Sequence, residues 1–450
     1  MTGINGATEG TENTERLSLF SKTSVFSVAK NALTRPVSSR PLVVLRVAFG
    51  LLMTASMVRF MARGWVTELY VLPQFHFTFW GFEWIRPLPP TGMWLVFILL
   101  ALLGLTIAAG LATRPSLITF FLLFTYVELI DKAYYLNHYY FVSLLTSLLI
   151  FLPVRGDWSV DGRFGWGPPQ PFVPAWMLWL VRGQLGLVYF FAGVAKLNPD
   201  WLVAAQPLSI WLHARTSTPL LGPLFDTAWM PYLFSWAGML FDLTVPFWLS
   251  WRKSRGVAYL AVIVFHGLTG LLFNIGMFPW IMIACTLVFF DWRLPGQPAP
   301  SSKVAKSPRW VVGFLALFLG IQLLLPLRHW LYPGNVNWTE EGFRFAWRVM
   351  LVEKTGQVTF TVRDPASGRQ WHVLPSQYLT VQQDKQMSFQ PDMIIQFAHF
   401  LAAQYSQPVE VRAEVYVSWN GRPSRLLLDP AQNLLAIAPD WRPKSFILAP

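Results

Sequence analysis

The chain has 450 residues, 54% of them hydrophobic and only 13% charged, and its 35 basic and 23 acidic residues leave a net charge of +12. A soluble domain carries about twice that charged fraction, so the composition indicates an integral membrane protein. The basic excess lies mostly in short connections between apolar runs, which orients a membrane protein and argues against a nucleic-acid partner.

Residues 1–40 are polar and basic without an apolar core, and read as a flexible cytoplasmic tail, not a cleaved signal peptide. Apolar runs follow at 42–61, 92–111, 116–131, 137–153, 174–195, 230–250, 257–274, 276–291 and 309–327. They predict about nine transmembrane helices forming a bundle over 41–327. The third and fourth runs are short, joined by Asp131-Lys132-Ala133-Tyr134-Tyr135, and the seventh and eighth nearly meet at Ile275-Gly276.

With the N-terminus inside, the cytoplasmic connections receive most of the arginines and lysines, among them Arg114, Arg155, Arg252, Lys253 and Lys303. The outer loops hold Arg63, Arg86, Lys132, Lys196 and Arg215, together with Trp65, Trp80, Trp84, Trp201 and Trp211 as an interfacial belt. An odd number of spans then places the C-terminal part on the extracytoplasmic side.

From residue 328 the pattern changes to short alternating runs at 358–362, 370–374, 409–419, 426–428 and 446–448. With Asn420-Gly421 as a hairpin turn and 392–405 as an amphipathic helix, 328–450 reads as an α+β, sheet-rich extramembrane domain. Asn337-Trp338-Thr339 is a glycosylation sequon on the outer side, usable in a host that glycosylates. A Pro/Ser-rich linker, 295–308, precedes the last span.

Polar groups inside apolar helices are costly and therefore informative. They are Arg46, Arg59, Glu128, Arg182, Gln184, Asp242, His266 and Asn274. Arg182 and Asp242 fall near the middle of adjacent helices and could pair, as a structural ion pair stitching the bundle. Arg182, Tyr189 and Lys196 follow a seven-residue step with Gly186 and Gly193 on the same step, so one helix face carries polar groups beside residues that admit close helix approach.

Lys196 ends its apolar run just before the helix stop Asn198-Pro199-Asp200. Such a lysine is either a membrane-edge anchor or, in a desolvated pocket that disfavours an ammonium, a general base. His138 stands among tyrosines at the start of the fourth run. Cys285 is the single cysteine, and the seven histidines make no His-x-x-x-His pattern, so neither a disulfide nor a metal site is expected. No phosphate loop, nucleophile elbow or dinucleotide fingerprint is present.

The string Tyr189-Phe190-Phe191-Ala192-Gly193-Val194-Ala195-Lys196-Leu197-Asn198-Pro199-Asp200-Trp201 resembles the segment around the essential lysine of the vitamin K-dependent gamma-glutamyl carboxylases. Further pieces agree in order: Asn137-His138, Val181-Arg182-Gly183-Gln184, Phe241-Asp242-Leu243, Phe265-His266 with Ile275-Gly276-Met277-Phe278, Asn337-Trp338-Thr339, Asp392-Met393 and Val417-Ser418-Trp419-Asn420.

The resemblance implies an enzyme that oxygenates reduced vitamin K, phylloquinol or menaquinol, to its epoxide with O2. The strong base so formed removes a γ-proton from a protein glutamate, which captures CO2. No metal takes part. By the same resemblance Lys196 is the base that deprotonates the quinol, His138 assists carboxylation and Asn137 helps hold the quinol. Arg182, Asp242, His266 and His329 are further candidates for the quinol or substrate site, and the partners are a lipid quinol, membrane lipid and a glutamate-containing protein or peptide. Two other readings stay open: a quinol epoxidase without carboxylation, and a transporter or lipid-binding protein with Arg182, Asp242 and His266 along its pathway.

Overall fold

The computed structural model describes residues 27–28, 30–156, 158–166, 170–292 and 308–450. Most of the expected tail and linker therefore lie outside the described residues. Each of the nine apolar runs is helical: α1 Arg40–Ala62, α2 Pro90–Ala109, α3 Thr113–Ile130, α4 Asn137–Phe151, α5 Ala175–Ala195, α6 Met230–Ser250, α7 Arg255–Leu272, α8 Phe278–Thr286 and α9 Arg309–Leu324.

Seven of them, α9 counted with its 3₁₀ extension to Leu331, are long and apolar enough to cross a membrane. The other two expected helices form but are shorter. α4 has only 15 residues, and α8 with its 3₁₀ turn covers Phe278–Phe289, both shorter than the roughly 20 residues of a standard crossing. Prolines begin α2, α6 and α8, where the missing amide hydrogen costs nothing. A two-stranded antiparallel pair, β1 Pro36–Ser38 with β2 Phe172–Pro174, ties the end of the expected tail to the entry of α5.

The C-terminal domain is an antiparallel sheet of order β4-β3-β5-β6, with β3 Lys354–Arg363, β4 Gln370–Val373, β5 Glu410–Trp419 and β6 Arg425–Leu426. Alternation along β3 and β5 turns Val358, Phe360, Val411 and Val415 inward, against Phe397 and Leu401 of α11, Pro391–Ala402. α10, Val381–Met387, opens on a capping box between Thr380 and Gln383. Asn420 and Gly421 take the left-handed conformations their turn requires, φ 49° and 74°. The expected last strand is reduced to a single bridge, Leu428 to Ile447.

This domain is fastened to the bundle at three places. Phe77 and Ala133 from the bundle loops belong to its core, and Gln383 Nε2 donates to Phe75 O and Asp131 Oδ2, each at 2.7 Å. Arg422 and Asn420 both reach Asp200, beyond the end of α5. Third, the segment 342–350 enters the bundle, where Trp347 is buried and stacks on Tyr140. Asn337, the expected sequon, is 4% exposed, and its Oδ1 accepts from Arg348 Nη2 at 2.9 Å. The neighbouring Trp338 is drawn into the domain core, so this asparagine is not presented as an acceptor in the folded protein.

Candidate functional site

Gly193 lets α5 and α6 approach closely: a Cβ there would lie 2.8 Å from the Leu243 side chain and 2.9 Å from its backbone nitrogen. One turn later, Lys196 Nζ donates to Asp242 Oδ2 at 2.8 Å and to Ala192 O at 3.2 Å. Its charge also rests over the Trp201 ring, 5.2 Å from the centroid. Asn198 holds the turn by donating to Ala195 O and accepting from Trp201 N. Lys196 is 5% exposed and Asp242 4%, so the lysine does not snorkel to the surface as an anchor would.

The expected pairing of Asp242 with Arg182 does not occur. Arg182 donates instead to Val288 O, at 3.1 and 3.0 Å, and to Phe289 O, closing the carbonyl end of the α8 extension. Asp242 lies level with the far end of α5, where Gly193 packs on Leu243, whereas Gly186, one turn from Arg182, faces Pro246; the antiparallel register separates the two residues along the helix axis, which helix length alone does not reveal.

Lys196 and Asp242 form the polar end of a chamber of about 80 Å³, whose walls include Trp201, Trp211, Phe234 and Phe265. His266 joins it, with Nε2 2.9 Å from the Tyr189 hydroxyl and Nδ1 buried without a partner. A second chamber, about 500 Å³, is lined by Arg59, Asn137, His138, Asn274 and Gly276. His138 is 5% exposed and its Nε2 has no hydrogen-bond partner. Asn137 is already engaged: it accepts from Tyr135 Oη at 3.0 Å and donates to Arg348 O at 3.2 Å.

The chambers share Ile275, Phe278, Val349 and Met350 as a common wall. Lys196 and His138 therefore face the same partition from opposite sides. Val349 and Met350 belong to the inserted segment, in which Phe345, Trp347 and Met350 all take positive φ, 62°, 56° and 53°. Such backbones cost about 1–3 kcal/mol each and persist only where packing over-determines them. Ile275 and Phe278 lie in a piece that the resemblance had marked, whereas no sequence signal identified Val349 and Met350 as their partners in the wall.

His329 lines neither chamber. Its Nδ1 donates to Pro326 O at 2.8 Å, and Gly342 packs against its backbone, where a Cβ would come within 2.7 Å of the His329 Cα.

Outside the membrane, Lys132 Nζ and Arg344 Nη1 flank Asp392 Oδ2 at 2.7 and 2.8 Å. Burial alone would raise the Asp392 pKa, but the two cations overcome it and hold the carboxyl below the usual range. This cluster lines a third, charged cavity of about 360 Å³ that none of the expected site residues enters. Among the described residues no group of three or more His, Cys, Asp or Glu side chains could hold a metal ion.

The HTTM domain family model matches residues 34–293, and that of the vitamin K-dependent gamma-carboxylase lumenal domain matches 307–450. The chain belongs to the vitamin K-dependent gamma-carboxylase family. No solved structure matches it. In this carboxylase-family membrane protein Lys196, Asp242, His138 and His266 fall in the HTTM match, while Val349 and Met350 fall in the lumenal-domain match. Both matched parts thus contribute to the partition between the chambers.

Proposed function

We propose that this protein oxygenates a reduced naphthoquinone, phylloquinol or menaquinol, to its epoxide, and couples this to carboxylation of a protein or peptide glutamate with O2 and CO2. The observation that carries the reading is the buried Lys196–Asp242 pair at the polar end of an aromatic chamber. The lining suits the ring of a lipid quinol, with aromatic walls, one polar end and His266 Nδ1 without a partner, and the chamber of about 80 Å³ must widen to admit two fused rings. When bound, the quinol supplies, through its oxygenation, a base strong enough to remove a glutamate γ-proton.

The chain's own part is proton handling and water exclusion. Lys196 Nζ takes the proton of a hydroxyl placed against it while passing one of its own along the 2.8 Å hydrogen bond to Asp242 Oδ2. The pair then carries one positive charge beside the developing anion, with no net charge created in an apolar site. The apolar walls keep water from quenching a strong base. His138, across the partition, assists carboxylation in the larger chamber. The distribution of basic residues supports a cytoplasmic N-terminus and an extracytoplasmic C-terminal domain.

The test supplies reduced menaquinone or phylloquinone, labelled bicarbonate and a glutamyl peptide to the full-length protein. Epoxide and labelled peptide together are expected, and both are lost in Lys196→Ala. Epoxide without label reduces the function to quinol oxygenation; wild-type epoxidation in Lys196→Ala removes the base assignment.

A further inference from the structure

We infer that the larger chamber is a carboxylate-binding site in which Arg59 is the specificity-determining residue, with the acceptor glutamate side chain as its ligand. This rests on the proposed carboxylation and assigns Arg59 a role in it. Arg59 comes from the last turn of α1, and its guanidinium lies against Trp65, 5.2 Å from the ring centroid. Its Nε is buried with no hydrogen-bond partner, and among the described residues no carboxylate forms an ion pair with it. Arg59 is half-buried, and a guanidinium whose Nε is closed off from water with no acceptor or counter-ion is better satisfied when a ligand supplies one.

His138 Nε2 is the second unpartnered group in the same chamber. Both aim at one spot: the position a Cβ would occupy on Gly276 lies 3.7 Å from Arg59 Nη2 and 3.9 Å from His138 Nε2. Gly276, at φ 63°, leaves that space open. A carboxylate placed there can accept from both, and a guanidinium matches its two oxygens in a fork.

Glu68 is the only acid among the lining residues, and it is exposed. Gln382 and Gln386 of α10 complete the lining from the C-terminal domain, and their amides suit the backbone of an extended peptide. The chamber's volume, about 500 Å³, accommodates a glutamyl side chain with flanking backbone. The shared wall with the Lys196 chamber sets that side chain next to the proposed quinol site.

The same anion chemistry would also hold bicarbonate, and the experiment separates the two. Binding of a fluorescent glutamyl peptide to full-length protein in lipid nanodiscs is measured by anisotropy without quinol, against the matched glutaminyl peptide and with bicarbonate as competitor. The wild type is expected to prefer the glutamyl peptide at least about tenfold, a preference worth roughly 1.4 kcal/mol. Arg59→Gln should shrink it to about threefold or less, and Arg59→Lys, which keeps the charge but loses the fork, to an intermediate value. Should Arg59→Gln not elute as a folded species, Arg59→Lys alone carries the comparison. An unchanged preference in the folded variants overturns the assignment, as does competition by millimolar bicarbonate that abolishes peptide binding. Binding is read without turnover, so a wild type that makes no epoxide would refute the proposed function while leaving the Arg59 result legible.

Discussion

Lys196 Nζ and Asp242 Oδ2 lie 2.8 Å apart in the apolar interior, both almost wholly buried. Neither charge would be tolerable there alone, since removing an ion from water costs several kcal/mol that only its partner returns. The pair is therefore one unit in stability, and in the proposed chemistry one unit in proton transfer.

Breaking that unit should be worse than removing it. Asp242→Asn leaves an uncompensated buried lysine and should lower stability by about 3–5 kcal/mol. The double variant Lys196→Met with Asp242→Leu should recover most of that loss in detergent-solubilised thermal unfolding, yet form no epoxide. If the double variant is as unstable as the single one, the pair does not account for the local energetics.

Gly193→Ala tests the helix approach that creates the pair. The added methyl meets the Leu243 backbone at 2.9 Å, closer than real Cβ contacts come, so α5 and α6 must separate. Overpacking of this kind costs about 1–3 kcal/mol, and here it should also lengthen the Lys196–Asp242 contact and lower kcat. Gly183→Ala on the same helix has nothing within 4 Å of the new Cβ and should gain about 0.5–1 kcal/mol from helix propensity. Equal losses from the two substitutions would show that α5 is sensitive to any methyl, not to this contact.

The bundle and the sheet domain were legible because periodicity and composition are local: runs of apolar residues, alternating strands, and the stop at Asn198-Pro199 all report themselves in sequence. Lys196 was legible for the same reason, as a cation at the end of such a run. Its partner was not. Asp242 is matched to one of the possible cations by the register of α6 against α5, fixed where Gly193 packs on Leu243, and the sequence marks Gly193 as a point of close approach without saying which helix approaches it. Met350 was less legible still, because its place in the site depends on three separate departures to positive φ, at Phe345, Trp347 and Met350 itself, in a segment with no regular period.

The contacts of the sheet domain titrate in opposite directions. Hydrogen bonding from Arg422 comes first in holding Asp200 below its usual range, and Asp392 is held below by Arg344 and Lys132 against its burial. These carboxyls contribute stability above their unfolded values near 4, lost as the pH falls through the lower folded values. Glu341 is the reverse: burial raises it to about 7, so its contribution is present below about 4.5 and is lost as the pH rises to 7. Glu341→Gln should therefore stabilise the protein at pH 8 and leave it nearly unchanged at pH 5, by about 1 kcal/mol or less because the group is part-exposed. Thermal unfolding at the two pH values decides it, and a gain of equal size at both would remove the titration as its cause.

Asn337 makes a second claim about the sheet domain that a mass spectrum can check. Its Oδ1 accepts from Arg348 Nη2 and the residue is 4% exposed, so expression in a glycosylating host should yield protein without a glycan at this site, provided folding precedes transfer. Asn337→Ala leaves the half-fork of Arg348 unpaired in a buried position and should cost about 1–3 kcal/mol. Thr339→Ala destroys the same sequon without touching that hydrogen bond and should cost less, with no change in mass beyond the substitution itself. A glycan on the wild type that disappears in Thr339→Ala would mean that Asn337 is reachable before the domain closes over it, and that the Arg348 contact forms only in the unmodified chain.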